Sequence, residues 1–131
     1  MPKILIVDDE PYIRQLLELT LEELEEEGVE LLFAGNGDEA VEIITRQHPC
    51  LVFLDVMMPK MNGFEVCNTV KNEHGLSDIC IVLLTAKGQE FDKERGREVG
   101  ADQYMTKPFN PDEVLAKARE ITARRQSGSR I

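Results

Sequence analysis

The chain has 131 residues, a formal net charge of −10, 42% hydrophobic residues and 31% charged residues. That length fits one domain with an ordinary two-sided core, because about two-thirds of the unfolded surface is buried at this size. No run approaches the roughly 18 apolar residues of a membrane span, and the acidic balance offers nothing against phosphate repulsion, so neither membrane nor direct nucleic-acid binding is expected.

Met1-Pro2-Lys3 leads into an apolar run too short for a signal peptide and ended by acid, so a cytoplasmic location is expected. That run, residues 4–7, reads as a first strand delivering Asp8-Asp9-Glu10. A first helix over residues 11–27 carries Ile13, Leu16, Leu17, Leu21 and Leu24 at helical spacing, with Pro11 in its first turn and Gly28 as its stop. Its glutamates, from Glu22 to Glu27, read as a solvated end. A second strand (30–34) and a second helix (37–46) follow. The third strand (50–54) is wholly apolar after Cys50 and ends in Asp55, before a third helix over 63–72.

The fourth strand (79–84) ends in Thr85-Ala86. The fourth helix (88–99) has only Phe91 and Val99 as large anchors, so it is expected to be lightly packed and mobile. The fifth strand (103–105) leads to Lys107, and Asn110-Pro111-Asp112-Glu113 starts a fifth helix over 111–122. Residues 1–122 are taken as the domain. The polar tail, 123–131, is taken as a frayed helix end and a linker or artificial appendage. Three widely spaced cysteines, Cys50, Cys67 and Cys80, read as small core residues, and the isolated His48 and His74 carry no metal-like spacing.

Five strand–helix units with short connections predict an α/β fold, a parallel sheet covered on both faces. Sites in such sheets form at the carboxyl ends of the strands. Four of the five ends carry Asp8-Asp9, Asp55, Thr85 and Lys107. Singly, each has a plain reading: adjacent acids cap loops, a threonine ends a strand, a lysine sits in a loop. Together they suggest carboxylates for a hard cation such as Mg²⁺, a carboxylate that attacks phosphorus, and a hydroxyl and an ammonium for phosphoryl oxygens.

Val7-Asp8-Asp9-Glu10, Leu54-Asp55-Val56-Met57-Met58-Pro59-Lys60-Met61-Asn62-Gly63, Leu84-Thr85-Ala86 and Gly100-Ala101-Asp102-Gln103-Tyr104-Met105-Thr106-Lys107-Pro108-Phe109 resemble the receiver (CheY-like) domain of two-component response regulators. The resemblance covers residues 3 to about 122. It implies a flavodoxin-like (βα)5 fold with strand order 2-1-3-4-5, which brings Asp8, Asp9 and Asp55 together. It further implies that Asp55 accepts a phosphoryl group from a sensor histidine kinase or a histidine phosphotransfer protein. Asp9, Asp55 and the Met57 backbone carbonyl would bind Mg²⁺, with Asp8 acting through a coordinated water. Thr85 and Lys107 would contact phosphoryl oxygens, and Lys107-Pro108 would be a cis bond. Tyr104 would fill the space Thr85 vacates on switching; its alternative is plain packing with the hydroxyl at the surface. The fourth helix, fifth strand and fifth helix would then bind a downstream effector protein or domain, or form a homodimer.

Met57, two residues after Asp55, offers an attacking water only a thioether, and Lys87 could hold the phosphate; slow self-dephosphorylation is therefore expected. Such a chain is no enzyme beyond its own phosphorylation and dephosphorylation. One rival is a small Mg²⁺-dependent phosphatase working through an aspartyl-phosphate, which would favour an Asp-x-Asp pair and a cap. Another is a flavin-binding protein, whose phosphate Asp8-Asp9-Glu10 would repel.

Overall fold

A computed structural model describes residues 2–86 and 93–128, and side chains among these except at 93 and 125–128. Five strands form one parallel sheet: β1 (Lys3–Val7), β2 (Glu30–Ala34), β3 (Leu51–Asp55), β4 (Cys80–Ala86) and β5 (Gln103–Lys107), in the order β2-β1-β3-β4-β5. The expected flavodoxin-like order 2-1-3-4-5 is therefore the observed one.

The strands' apolar runs alternate between two cores, as a pleat with period two requires. Leu5, Val7, Val52, Leu54, Ile81 and Leu83 face one side, where α2 (Gly37–Gln47) supplies Ala40 and Ile44 and α3 (Gly63–Asn68) supplies Phe64, Val66 and Cys67. Ile4, Ile6, Phe53, Val82 and Leu84 face the other, against Ile13 and Leu17 of α1 (Pro11–Thr20) and Val114, Ala118 and Ile121 of α5 (Pro111–Gly128). β5 is an edge strand, and most of its residues are exposed or half-buried. Of the fourth helix, the structure describes α4 (Lys93–Glu98) and the buried Val99 after it; Phe91 lies outside the described residues.

Local chemistry sets the boundaries. Asn36 and Asn62 cap α2 and α3 by accepting from the backbone N–H of Glu39 and Glu65, and Glu65 reciprocates to Asn62 in a capping box. Asn110 accepts from the N–H of Asp112 as α5 starts.

Four expectations need correction. Leu16 does not join the core stripe of α1: it is 42% exposed, because α1 turns that position toward the carboxyl edge of the sheet. The first helix breaks at Leu21 and resumes over Glu22–Glu26. The third helix passes into a π turn over Thr69–Glu73. The last helix continues beyond Thr122 to Gly128, aided by an Arg124–Glu120 pair one turn apart at 3.6 Å. The glutamate run is mostly solvated, but Glu23 and Glu27 meet Arg119 and tie α5 to the end of the first helix. Cys50 and Cys67 are buried and Cys80 half-buried; burial pushes the Cys67 thiol up to about 12 and that of Cys80 up to about 11. Protonated at neutral pH, Cys67 and Cys80 pack as small apolar groups.

Candidate functional site

Register explains how four strand ends meet. Val7 pairs with Leu54 across β1–β3, so Asp8 and Asp55 are the next residues of neighbouring strands. Asp55 pairs with Leu84, placing Thr85 one step further on, and Ala86 pairs with Lys107. Residues far apart in sequence thus arrive at one edge because their strands end at nearly the same level.

Asp8 and Asp55 are almost wholly buried, at 0% and 4% exposure, and Thr85 at the neighbouring strand end is buried too. Burying two carboxylates this close is costly without a cation. Lys107 supplies it: its ammonium lies 2.8 Å from Asp8 Oδ2 and 3.3 Å from Asp55 Oδ1. Backbone donors add to this, at the other oxygen of Asp8 and at the same oxygen of Asp55 that meets Lys107. Glu10 N–H donates to Asp8 Oδ1 at 2.9 Å, and Met57 N–H donates to Asp55 Oδ1 at 3.2 Å.

The electrostatics follow from that packing. Burial and then the charge of Asp8 push the Asp55 carboxyl up to about 6, although Lys107 and the Met57 N–H pull the other way. Burial pulls the Lys107 ammonium down, but its hydrogen bond to Asp8 and the charges of Asp55 and Asp8 outweigh it and hold the group above an ordinary lysine. Asp55 is therefore a carboxylate in a partly desolvated pocket, with a cation at one oxygen. That suits nucleophilic attack on an electrophile whose negative charge Lys107 can share.

Asp8, Asp9 and Glu10 each offer an oxygen within 4.8 Å of one another, Asp8 buried and the other two exposed. An all-oxygen, open-sided donor set fits a hard divalent cation that keeps some of its water. Glu10 was not singled out from the sequence as a site residue; its signal is its place directly after the acid pair. Met57 is 60% exposed beside Asp55, and Tyr104 is 44% exposed on β5, outside the immediate carboxylate cluster. Tyr104 is thus placed outward, compatible with either of its two readings. Lys87 lies outside the described residues.

The 55–63 loop is held against the strand edge at Gly63. Its N–H donates to Val56 O at 2.9 Å, and an alanine Cβ there would stand 2.5 Å from the Asp55 carbonyl oxygen. Only a residue without a side chain lets α3 start this close to the Asp55 backbone. Lys107-Pro108 is cis. Above Asp55 opens a groove of about 530 Å³, whose walls include Tyr12, Leu16, Met57, Pro108 and Phe109.

The pattern of the "Response regulator receiver domain" family matches residues 4–119. Among curated relatives, "Probable transcriptional regulator ycf27" of Porphyra purpurea is 46% identical over 122 residues, covering 93% of this chain and 48% of that protein. "Alkaline phosphatase synthesis transcriptional regulatory protein PhoP" of Bacillus subtilis is 45% identical over 122 residues, covering 93% of this chain and 49% of that one. The chain spans about half the length of these relatives. Among solved structures, the Vibrio cholerae chemotaxis protein CheY4 superposes with a TM-score of 0.80 at 33% identity, covering 92% of this chain and 98% of that one.

Proposed function

The chain belongs to the response regulator receiver domain family, the phosphorylatable switches of two-component signalling, and on that premise we propose that Asp55 is its phosphoacceptor. The observation that carries the proposal is the seat of Asp55: a buried carboxylate at a strand's carboxyl edge, bridged to Asp8 by one lysine. A carboxylate oxygen of Asp55 attacks phosphorus, the phosphorus–nitrogen bond of a partner's phosphohistidine breaks, and the imidazole leaves. Lys107 and the Thr85 hydroxyl receive the phosphoryl oxygens.

Asp8, Asp9, Asp55 and the Met57 carbonyl would hold Mg²⁺, with Asp8 acting through water and Glu10 at the rim. When bound, the cation supplies charge that offsets the approach of an anionic phosphoryl group to several carboxylates. The protein's own contribution is positioning and neutralisation. The phosphorylated residue carries about −1.5 to −2 charge and three strong acceptors. Thr85 turns toward those acceptors, Tyr104 follows, and the surface of α4, β5 and α5 changes for a downstream effector or a second copy of the chain.

The groove's aromatic and aliphatic walls suit a phosphodonor presenting an apolar face around its histidine. We place the chain in the cytoplasm with its kinase and give it no enzymatic role beyond its own phosphorylation and dephosphorylation. Among the described residues, no helix is long and apolar enough to cross a membrane. The alternative, a small Mg²⁺-dependent phosphatase, finds no support in the similarities above.

The test is intact mass after incubation with Mg²⁺ and a small phosphodonor. Wild type should gain one phosphoryl group and Asp55→Asn none. Equal labelling of both would move the acceptor elsewhere.

A further inference from the structure

Of the five strand ends, only that of β2 carries no residue with chemistry of its own: Ala34 runs into Gly35-Asn36-Gly37. Arg14 reaches this end from the first turns of α1. Its Nη1 donates to the backbone carbonyl of Asp8 at 2.5 Å. The same guanidinium lies against Gly35, where a Cβ would stand 3.3 Å from Nη1 and 3.9 Å from Cζ. Gly35 is a fixed seat, because its N–H donates to Glu39 Oε1 at 2.8 Å while Glu39 N–H donates to the Asn36 cap at 2.8 Å.

The turn that presents Asp8 and Asp9 is thus held at each polar atom of Asp8. The N–H donates to Ala34 O at 3.2 Å, one carboxylate oxygen accepts from Glu10 N–H, the other from Lys107, and the carbonyl accepts from Arg14. Three of these partners are backbone or already belong to the site. The fourth is a side chain brought in for the purpose, and its charge gives a hydrogen bond stronger than a neutral one.

We propose that Arg14, seated on Gly35, is a positioning residue that sets the Asp8–Asp9 carboxylate turn for its divalent cation. The proposal rests on the metal reading given above. Arg14 touches neither the cation nor the phosphoryl group; it acts through the Asp8 backbone, and the otherwise silent end of β2 provides its platform.

Electrostatics and positioning predict opposite signs here, which makes the proposal sharp. As a mere nearby cation, Arg14 repels Mg²⁺, and its removal should tighten binding. As a positioning residue, its removal loosens the turn and weakens binding. The experiment is calorimetric titration of Mg²⁺ into the unphosphorylated full chain, for wild type, Arg14→Ala, Arg14→Lys and Gly35→Ala, with urea midpoints recorded for each.

Arg14→Ala should raise the Mg²⁺ dissociation constant about three- to tenfold, the loss expected for one hydrogen bond. Arg14→Lys, which keeps a cationic donor of similar reach, should restore most of it. Phosphorylation of Arg14→Ala by a small phosphodonor should recover at saturating Mg²⁺. Gly35→Ala, which crowds the guanidinium while leaving it in place, should weaken binding in the same direction. Arg14→Ala binding Mg²⁺ as tightly as wild type, or more tightly, overturns the proposal. Should Arg14→Ala fail to fold, Gly35→Ala decides: unchanged or tighter binding overturns it equally. A wild-type chain that takes up no Mg²⁺ at all would overturn the metal reading and this proposal with it, so the two failures are told apart.

Discussion

The Lys107 ammonium lies 3.3 Å from Oδ1 of Asp55, and it reaches the nucleophile while also holding Asp8 at 2.8 Å. One lysine side chain, 15% exposed, thus compensates two buried carboxylates from strands β1 and β3. Removing one member of such an arrangement leaves uncompensated charge rather than a simple gap.

Lys107→Ala should therefore lower unfolding free energy by roughly 2 kcal/mol at pH 7.5 without divalent cation, less than a fully buried pair because the site opens to solvent. The loss should shrink at pH 5, where Asp55 takes up a proton, and also on adding Mg²⁺. Urea unfolding under the three conditions checks this. A constant loss across all three would mean that Lys107 stabilises by packing alone.

Asp55→Asn should stabilise the fold at neutral pH. The Asp55 carboxyl titrates at about 6 in the folded chain against an ordinary value of 3.8. Between those values the folded state holds a proton that the unfolded state has lost, so stability falls as pH rises from about 4 through about 6. The asparagine variant escapes that cost and should gain on the order of 1–3 kcal/mol at pH 7.5 without Mg²⁺. Below pH 4 the two chains should converge. A lower urea midpoint for Asp55→Asn at pH 7.5 would contradict the account.

Met57 stands 60% exposed beside Asp55 and offers an attacking water only a thioether. We predict slow loss of the phosphoryl group, and about tenfold faster loss in Met57→Asn, corresponding to roughly 1.4 kcal/mol of barrier. The decay of the phosphorylated form, followed by mass, measures it. Unchanged decay in the variant would clear Met57 of the effect.

Thr85 is buried at the end of β4, while Tyr104 sits outward on the neighbouring strand, one strand position below the Thr85–Thr106 pair and one further. Thr85→Ala should still accept a phosphoryl group on Asp55 but lose the accompanying amide shift changes along β5 and α5. Shifts confined to the 55–63 loop in wild type itself would remove the switching proposal altogether.

Much of this was readable along the chain because it depends on near neighbours. Apolar runs of four or five residues ending in Asp8, Asp55 and Thr85 identify strands and their functional ends. Asn110-Pro111 starts a helix by satisfying its own first backbone donors. Gly63 is required by a contact with Asp55, eight residues away in sequence.

Other features depend on which surfaces meet in space. Periodicity places Leu16 on the apolar side of α1 but cannot say that this side extends past the core to the rim of the Asp55 groove. The seating of Arg14 on Gly35 joins a helix and a loop that share no local pattern. The bridge from Lys107 to Asp8 spans 99 residues, and it exists only after the strands are ordered and their ends aligned. The chain's local chemistry thus determines which groups stand at the sheet's edge. Tertiary packing alone decides which carboxylate is buried, which cation answers it, and how far Asp55 is pushed toward protonation, because burial and Coulomb interaction depend on distance in space rather than along the chain.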